Sequence, residues 1–179
     1  MKYSALFSLL IVAMSVLTAC SKDIAPGQEQ AAFDVAFSGI DIRAMQGSIA
    51  QNTIQLTNVL SIANRDKASS VKTVDIQNGK SYIIVQGEGV ETLRKVTINL
   101  LDGSDELQSK VIKTYNLNLA SFDSNGIEDS TNPCITFLSN ITDYLASKKS
   151  ANIQVILYAG AQELTNLQVT IHITAIFNW

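Results

Sequence analysis

Hydrophobic and polar residues alternate along most of the chain, which is the pattern of β-strands with one buried face. The alternation begins at Phe33 and is strict over residues 110–119. Two further alternating runs cover residues 152–158 and 167–177. Glycine and asparagine residues separate these runs, as expected for strands joined by turns. The pattern therefore predicts a mainly β domain.

One pair of runs predicts a β-hairpin. Residues 74–77 and 81–86 both alternate, and they flank the dipeptide Asn78-Gly79. Asn-Gly is the preferred filling of a type I′ turn, because both residues tolerate a positive φ. We therefore expect these two runs to pair with each other in antiparallel fashion.

Helical periodicity is found in two places. Residues 47–64 are ambiguous, because Ser48 and Gln51 have the spacing of a capping box. Ile54 and Leu56 alternate as they would in a strand, so both interpretations stay open. The clearer case is a run of apolar residues at three- and four-residue spacing that predicts an amphipathic helix. These residues are Phe137, Leu138, Ile141, Tyr144 and Leu145.

About seven short strands with one or two short helices predict an antiparallel β-sandwich of immunoglobulin-like type. The longest irregular stretch is 120–134, with Asn125-Gly126 as a turn signal. The sandwich domain is expected to cover residues 33–179. Residues 20–32 show little periodicity and are expected to form a tether.

The first nineteen residues have the pattern of a secretory signal peptide. Met1-Lys2 supply a short positive region, and residues 5–17 form an apolar run broken by two serines. That run is short for a hydrocarbon layer of about 30 Å, and no stop-transfer pattern follows it. We therefore expect residues 1–19 to be removed.

The end of this segment is more specific. Leu17, Thr18 and Ala19 precede Cys20 in an arrangement that resembles a bacterial lipobox. The resemblance implies that Cys20 becomes the first residue after cleavage and carries a diacylglycerol thioether and an acylated amine. Buried acyl chains contribute about 0.8 kcal/mol per CH₂, so two or three chains would hold the domain at a membrane.

The resemblance also bears on location and family. Ser21 stands where an aspartate retains many lipoproteins at the inner membrane, which implies the outer membrane, facing the periplasm or the cell surface. The chain resembles small Gram-negative lipoproteins built as β-sandwiches in the pattern of apolar and polar residues. The segments that carry this resemblance are residues 92–98, residues 137–141 and the final Val-Thr-Ile strand. That family is uncharacterised in function, and the likeness transfers no catalytic residue.

Composition narrows the function classes. The 179 residues include 13 basic and 16 acidic side chains, for a net charge of −3. Binding to nucleic acid needs clustered Lys and Arg, so this balance argues against it. Two cysteines and one histidine leave little material for a metal cage or a disulfide framework. We expect no cofactor.

The chain also lacks the usual catalytic motifs. It contains no Gly-x-Ser-x-Gly elbow, no His-Glu-x-x-His pair and no phosphate-binding glycine loop. His172, the only imidazole, falls on the polar side of the last predicted strand, and Cys134 is expected to be a buried structural thiol. We therefore expect no catalytic site.

Two acidic clusters are the remaining candidates. Asp102, Asp105 and Glu106 are hard oxygen ligands of the kind that calcium takes. They lack the alternating pattern of an EF-hand loop, so a solvated hairpin turn is favoured over a cation site. Glu128-Asp129, with Asp123 nearby in the sequence, is similar.

These observations favour a non-enzymatic lipoprotein of the cell envelope. It would act as a binding, scaffolding or assembly module, anchored to the membrane through Cys20, with an envelope protein or a glycan of unknown identity as its partner. The alternative is a carrier that holds an apolar or lipid ligand between the two sheets, which requires a continuous internal pocket. An enzyme using the acidic loops is the third hypothesis.

Overall fold

The computed structural model describes residues 25–103 and 109–179. Within these ranges the chain forms ten β-strands, two α-helices and three short 3₁₀ segments. The strands are β1 (Gln28–Ile42), β2 (Gly47–Gln55), β3 (Thr73–Ile76), β4 (Tyr82–Gln86), β5 (Leu93–Asp102), β6 (Lys110–Asn116), β7 (Phe122–Asp123), β8 (Gly126–Asp129), β9 (Ser150–Ala159) and β10 (Leu164–Asn178). The helices are α1 (Leu56–Val59) and α2 (Asn132–Lys148).

The strands form two antiparallel sheets. Sheet A has the order β1-β10-β4-β8-β7, and β3 also pairs with β10. Sheet B has the order β2-β9-β5-β6. All of the pairings are antiparallel. The predicted antiparallel β-sandwich is therefore confirmed.

The core lies between the inner faces of the two sheets. Alternation in β5, β9 and β10 places every second aliphatic side chain on that face. Complete burial of such a side chain contributes about 1.5–3 kcal/mol. The side chains with almost no exposure there include Ile98, Leu100, Ile153, Val155, Leu157, Val169, Ile171 and Ile173.

Helix α2 confirms the predicted amphipathic helix and bridges the two sheets. It packs against β3 and β4 of sheet A and against β6 and β9 of sheet B. Pro133 stands in its first turn, where a missing N–H costs nothing, and Lys149 ends it in the left-handed conformation with a φ of 66°. Its buried stripe is formed by Phe137, Leu138, Ile141 and Leu145.

The predicted hairpin around Asn78-Gly79 is wrong. Strands β3 and β4 do not pair with each other; both pair with β10, one after the other along the same edge. Between them the chain loops out, with Gly79 at a φ of 75°. The Ser81 hydroxyl fills the gap in the ladder, because it accepts a hydrogen bond from the Thr174 N–H at 3.0 Å.

The ambiguous region 47–64 begins as a strand. Strand β2 pairs with β9 along its whole length, and only then does the chain enter the single turn of α1. The pairing with β9 outweighs the capping-box signal, because helix propensity is weak beside tertiary packing.

The ordered domain also begins earlier than predicted. The predicted tether includes residues 28–32, but these residues form the start of β1 and pair with residues 174–178 of β10. They are half-buried at the edge of sheet A and lack a clear alternation, which is why the sequence did not reveal them.

The stretch 120–134 is less irregular than expected. It contains the small hairpin β7–β8, which adds β8 to sheet A beside β4. The preceding strand, predicted over 110–119 with an apolar face, ends at Asn116 and is mostly exposed. Val111 of that face is 47% exposed, and β6 is the edge strand of sheet B, paired with β5 on one side.

Candidate functional site

The residues predicted to carry the lipid anchor lie outside the described residues. These are Leu17, Thr18, Ala19 and Cys20. Lipidation therefore stays a prediction. No helix among residues 25–103 and 109–179 is both long enough and apolar enough to cross a membrane.

The predicted cation site is only partly described. Asp102 ends β5 and is exposed, and its Oδ1 accepts a hydrogen bond of 2.6 Å from the Tyr144 hydroxyl. Partial burial and this hydrogen bond raise the pKa of Tyr144 to about 12. Asp105 and Glu106 lie outside the described residues, so calcium binding stays a prediction. In the described part, no three His, Cys, Asp or Glu residues gather to hold a metal ion.

The second acidic cluster does not form. Asp123 Oδ1 accepts a hydrogen bond of 2.7 Å from the Asn125 N–H inside the β7–β8 turn. Glu128 is exposed, whereas its neighbour Asp129 is completely buried. The alternation of β8 thus sends the two adjacent carboxylates to opposite sides of the sheet.

Asp129 is instead the centre of a buried polar network. Its Oδ2 accepts hydrogen bonds from the Tyr115 hydroxyl at 2.5 Å and the Asn118 N–H at 2.9 Å. Its Oδ1 accepts from the N–H and the hydroxyl of Thr131, at 3.0 and 2.7 Å. Burial by itself raises the pKa of Asp129, but the hydrogen bonds, led by that of Tyr115, outweigh burial and lower it. The carboxylate thus links β6, β8 and the start of α2, a structural role.

Cys134 is a buried thiol beside this network. Its Sγ donates to the Asp129 carbonyl oxygen at 3.1 Å. Burial, together with the charge of Asp129, raises the pKa of the Cys134 thiol to about 12. Because the thiolate is the reactive species, such a thiol is inert at neutral pH. His172 contacts Asp34 and Tyr82 instead, so Cys134 and His172 do not form a pair.

His172 lies on the outer face of sheet A in a row of three side chains. The register places Asp34, His172 and Tyr82 side by side on β1, β10 and β4. The Nδ1 atom of His172 lies 2.6 Å from Asp34 Oδ1, and the ring stacks on Tyr82 with centroids 4.9 Å apart. Sequence reasoning found the polar face of His172 but missed Asp34, because only the register of β1 on β10 brings them together.

Asp34, His172 and Thr174 have the order of a catalytic triad, but Thr174 cannot act as its nucleophile. His172 Nε2 lies 3.3 Å from Thr174 Oγ1, so an Asp-His-Thr sequence of contacts exists. A nucleophile needs an accessible hydroxyl whose proton goes to the base. Thr174 is 5% exposed, and its hydroxyl donates to the Lys80 carbonyl oxygen at 3.1 Å. The row therefore serves as a cross-strand contact.

The outer face of sheet B carries a different row, which we call the amide row. It consists of Gln51, Gln154, Asn99 and Thr114, which the strand register aligns across all four strands. Asn99 Nδ2 donates to Gln154 Oε1 at 3.0 Å, and Thr114 Oγ1 donates to Asn99 Oδ1 at 2.9 Å. Gln51 Oε1 is buried and has no hydrogen-bond partner among the described residues.

Similar contacts flank the amide row. Thr97 Oγ1 donates to Asn116 Oδ1 at 2.9 Å on one side. On the other side, Thr53 Oγ1 lies 3.3 Å from Asn152 Oδ1. Hydrogen bonds between neutral side chains therefore cover much of this face.

An exposed aromatic ring lies further along the same face. Tyr158 of β9 is opposite Gly47 of β2 in the register and is 44% exposed. A Cβ added at Gly47 would stand 2.9 Å from the Cε1 atom of the Tyr158 ring. The glycine thus leaves room for the ring to lie across β2. Ile49, which is 64% exposed, stands between this ring and the amide row.

Three surface depressions have volumes of about 420, 240 and 210 Å³. The first lies between β3 and α2, near Asp75 and Asp143. The second lies between β1 and β2, and the third lies at the end of β5 near Tyr144. All three open to solvent at the margins of the sheets.

Comparisons with known proteins give no assignment. No family model matches the chain, and no curated protein matches it. A solved structure of Desmodium yellow mottle tymovirus is similar over 87% of this chain and 90% of its own, with 8% identity and a TM-score of 0.34. The decameric BFDV capsid protein is similar over 85% and 98% of the two chains, with 12% identity and a TM-score of 0.34. Likeness at this level identifies neither a family nor a function.

Proposed function

We propose that this protein is a membrane-anchored lipoprotein of the cell envelope that acts as a non-enzymatic binding, scaffolding or assembly module. The observation that carries the proposal is the lipobox-like run of Leu17, Thr18, Ala19 and Cys20 after an apolar segment. The acyl chains would enter the outer membrane, and the β-sandwich would present its surfaces to a partner.

The short distance between anchor and domain fits a module that works close to the bilayer. Eight residues lead from Cys20 to the first residue of β1, Gln28. A fully extended chain spans at most about 3.6 Å per residue, or about 29 Å in total. The acylated cysteine would therefore keep the sandwich within about one bilayer thickness of the membrane surface.

The state of the reactive side chains supports a non-enzymatic role. Asp129 is buried under four donors, and Cys134 has a raised pKa. His172 is held between Asp34 and Tyr82, next to a hydroxyl committed to a backbone carbonyl. Each of these groups has a structural partner where an enzyme would need a free one.

The carrier hypothesis is less well supported. It needs a continuous apolar cavity between the sheets, where the aliphatic side chains of β5, β9 and β10 have almost no exposure. The three surface depressions all open at the margins. These observations favour a partner bound on the outside of the sandwich.

The anchor can be tested in a Gram-negative host fed with an alkyne-bearing fatty acid. We expect the full-length protein to incorporate the label and to appear in the outer-membrane fraction. Cys20→Ala should remain unprocessed and unlabelled, and the matched control Cys134→Ala should be labelled normally. Incorporation of label by Cys20→Ala would refute the anchor. Hydrolysis of glycan, peptide or ester substrates by the purified protein would refute the non-enzymatic role.

A further inference from the structure

One end of the sandwich lies beside the point where the predicted tether enters β1. The Gly27 carbonyl oxygen accepts a hydrogen bond from the Trp179 N–H at 3.1 Å, and the Asn178 carbonyl oxygen accepts one from the Lys72 N–H at 2.7 Å. The segment that leads to Lys72 contains the 3₁₀ turns of Ile62–Ser70. We call the surface formed by Gly27, residues 61–72 and Trp179 the tether end.

The length of the chain brings this end, and not the opposite one, close to an acylated Cys20. Seven residues lead from Cys20 to Gly27, which is at most about 25 Å. Strand β10 runs away from the tether end for 15 residues, or about 45 Å. The opposite end of the sandwich, which carries the turn between β1 and β2, therefore stays at least about 20 Å from Cys20.

The tether end has an exposed apolar side chain and an indole ring. Ile62 is 83% exposed, and Trp179 is half-buried. The residue before Ile62 is fixed next to the tether, because the Ser61 N–H donates to Glu29 Oε1 at 2.8 Å. Tryptophan is enriched at membrane–water interfaces, where its ring is partly in contact with hydrocarbon and its N–H with the polar layer. An exposed isoleucine beside it adds apolar area of the kind that enters this layer.

The tether end is also basic, although the whole chain has a net charge of −3. Residues 61–72 contain three basic side chains, Arg65, Lys67 and Lys72, and one carboxylate, Asp66. Arg65 and Lys72 are exposed, and Lys67 Nζ lies 4.8 Å from the centroid of the Trp179 ring. Basic side chains near a bilayer are attracted to anionic headgroups, and their aliphatic stems can lie along apolar surface.

The neighbouring elements add to this positive charge. Lys149 Nζ donates to the Val71 carbonyl oxygen at 2.7 Å, which brings Lys148 and Lys149 at the end of α2 beside the segment. Glu29 of β1 also lies here, but it accepts hydrogen bonds of 2.8 and 2.7 Å from the segment itself. Five basic side chains therefore stand beside two carboxylates, which complements an anionic surface.

We propose that the tether end docks on the phospholipid bilayer that holds the acyl chains, with Ile62 and Trp179 in the interfacial layer. Arg65, Lys67 and Lys72 contact anionic headgroups. The inference deepens the proposed function and rests on it, because it names the surface of the domain that meets the membrane. The anchor keeps this surface near the bilayer at a high effective concentration, so weak contacts are sufficient. The opposite end then points away from the membrane, towards a partner.

The test uses Trp179, which is the only tryptophan of the chain. The acylated full-length protein is reconstituted in vesicles of phosphatidylcholine alone or mixed with phosphatidylglycerol, and both contain a lipid with a nitroxide quencher near the headgroup. We expect quenching of Trp179 fluorescence to be at least about twofold stronger in the anionic vesicles, and to fall in 1 M salt. Absence of quenching, or equal quenching in both kinds of vesicle, would overturn the proposal.

Two variants locate the contact. Ile62→Ser removes the exposed apolar side chain, and Arg65→Glu reverses an exposed charge, so both should fold normally. Each should reduce quenching in the anionic vesicles by about twofold or more. The matched controls, Met45→Ser and Arg43→Glu, change exposed residues at the opposite end and should leave quenching unchanged. If all four variants behave alike, the short tether alone brings Trp179 to the membrane and the domain does not dock.

Flotation of the same vesicles separates this proposal from the anchor. Protein that floats with the vesicles but shows unquenched Trp179 would contradict docking and leave the anchor intact. Protein that does not float would contradict both. Sedimentation in detergent micelles tests the other occupant of the surface. A dimer that Ile62→Ser dissociates would make the tether end an interface between two copies, and the proposal would be wrong.

Discussion

The chain contains two Asn-Gly pairs that shape the backbone in different ways. Asn78-Gly79 lies in a loop between β3 and β4, which both pair with β10. Asn125-Gly126 lies at the turn of the hairpin between β7 and β8, which pair with each other. Both glycines have positive φ, 75° at Gly79 and 131° at Gly126. The dipeptide permits a reversal, but the neighbouring strand decides whether the reversal becomes a hairpin.

The two sites also differ in what secures them. The loop at Asn78-Gly79 is held by the uncharged hydroxyl of Ser81, which bonds to Thr174 of β10. The hairpin at Asn125-Gly126 leads directly into Asp129, a buried carboxylate with four donors. We therefore expect substitutions at Asn125-Gly126 and Asp129 to lower the free energy of unfolding more than substitutions at the first site. We also expect the contribution of the second site to depend on pH and that of the first site not to.

The largest effect should come from Asp129→Ala. This change leaves the buried donors of Tyr115, Asn118 and Thr131 without an acceptor, at about 1–3 kcal/mol for each donor that finds no water. We expect the free energy of unfolding in urea to fall by about 3–5 kcal/mol. Asp123→Ala is the control: it removes one exposed hydrogen bond in the same hairpin and should lower the free energy of unfolding by only about 0.5–1 kcal/mol, because water can replace the lost acceptor. Equal effects would refute the distinction.

The same carboxylate predicts an acid limb in the stability curve. Because the hydrogen bonds lower the pKa of Asp129 below its ordinary value of 3.8, the folded state binds its proton more weakly than the unfolded state does. Its contribution is complete above pH 3.8 and is lost as the pH falls towards the folded-state pKa. Asp129→Asn should show a smaller loss of stability than the unmodified protein between pH 5 and pH 2, measured by urea unfolding. Parallel curves would argue against this.

Gly126→Ala should have the next largest effect. A Cβ at this position would collide with the Val85 carbonyl oxygen of β4, and the backbone is in a region that favours glycine. Strain and overpacking together predict a loss of about 2–4 kcal/mol in unfolding free energy. If the urea unfolding midpoint of Gly126→Ala equalled that of the unmodified protein, β8 would be able to move away from β4 without loss of stability.

Ser81→Ala should have a smaller effect at the first site. The Thr174 N–H in the middle of β10 would lose its acceptor, which predicts a loss of about 1–3 kcal/mol. Ser70→Ala removes an exposed hydroxyl and serves as the control. The loss for Ser81→Ala should be the same at pH 7 and pH 3, because Ser81 and Thr174 do not titrate. A pH-dependent loss would contradict the uncharged character of this site.

Gly79→Ala should have the smallest effect. Its φ of 75° is unfavourable for alanine, but within the described part of the chain no atom stands within 4 Å of the added Cβ. We expect a loss of about 1 kcal/mol in thermal or urea unfolding, and a smaller one for Gly79→Asn. If Gly79→Ala cost as much as Gly126→Ala, the open loop would have to be as constrained as the hairpin.

The comparison explains which parts of the fold could be predicted. Strands β5, β9 and β10 and helix α2 have clear local periods, because a packed face imposes them on the sequence. The alternation of β3 and β4 predicts two strands but not their common partner, since β10 lies about ninety residues further along the chain. Strands β7 and β8 are too short for a period to show.

The candidate sites follow the same rule. The polar face of His172 was predictable from alternation in its own strand, whereas its contact with Asp34 requires the register of β1 on β10. The amide row requires the registers of four strands at once, so the sequence shows only a general abundance of amides and threonines. Chemistry that depends on alignment across strands is therefore the part that sequence reasoning missed.

The pairing of β1 with β10 has a consequence for the order of folding. The ladder joins Gln28 to Asn178, so its partners are about 150 residues apart in the chain. Bringing these two strands together closes a very long loop, which costs conformational entropy. Folding rates fall as contacts become less local, so this pairing is expected to form slowly. Strands β5 and β6 of sheet B can pair as soon as both have been synthesised. Sheet A cannot be completed before β10 has been synthesised, because β10 lies between β1 and β4. During biosynthesis, sheet A is therefore completed only after nearly all of the described chain has been made.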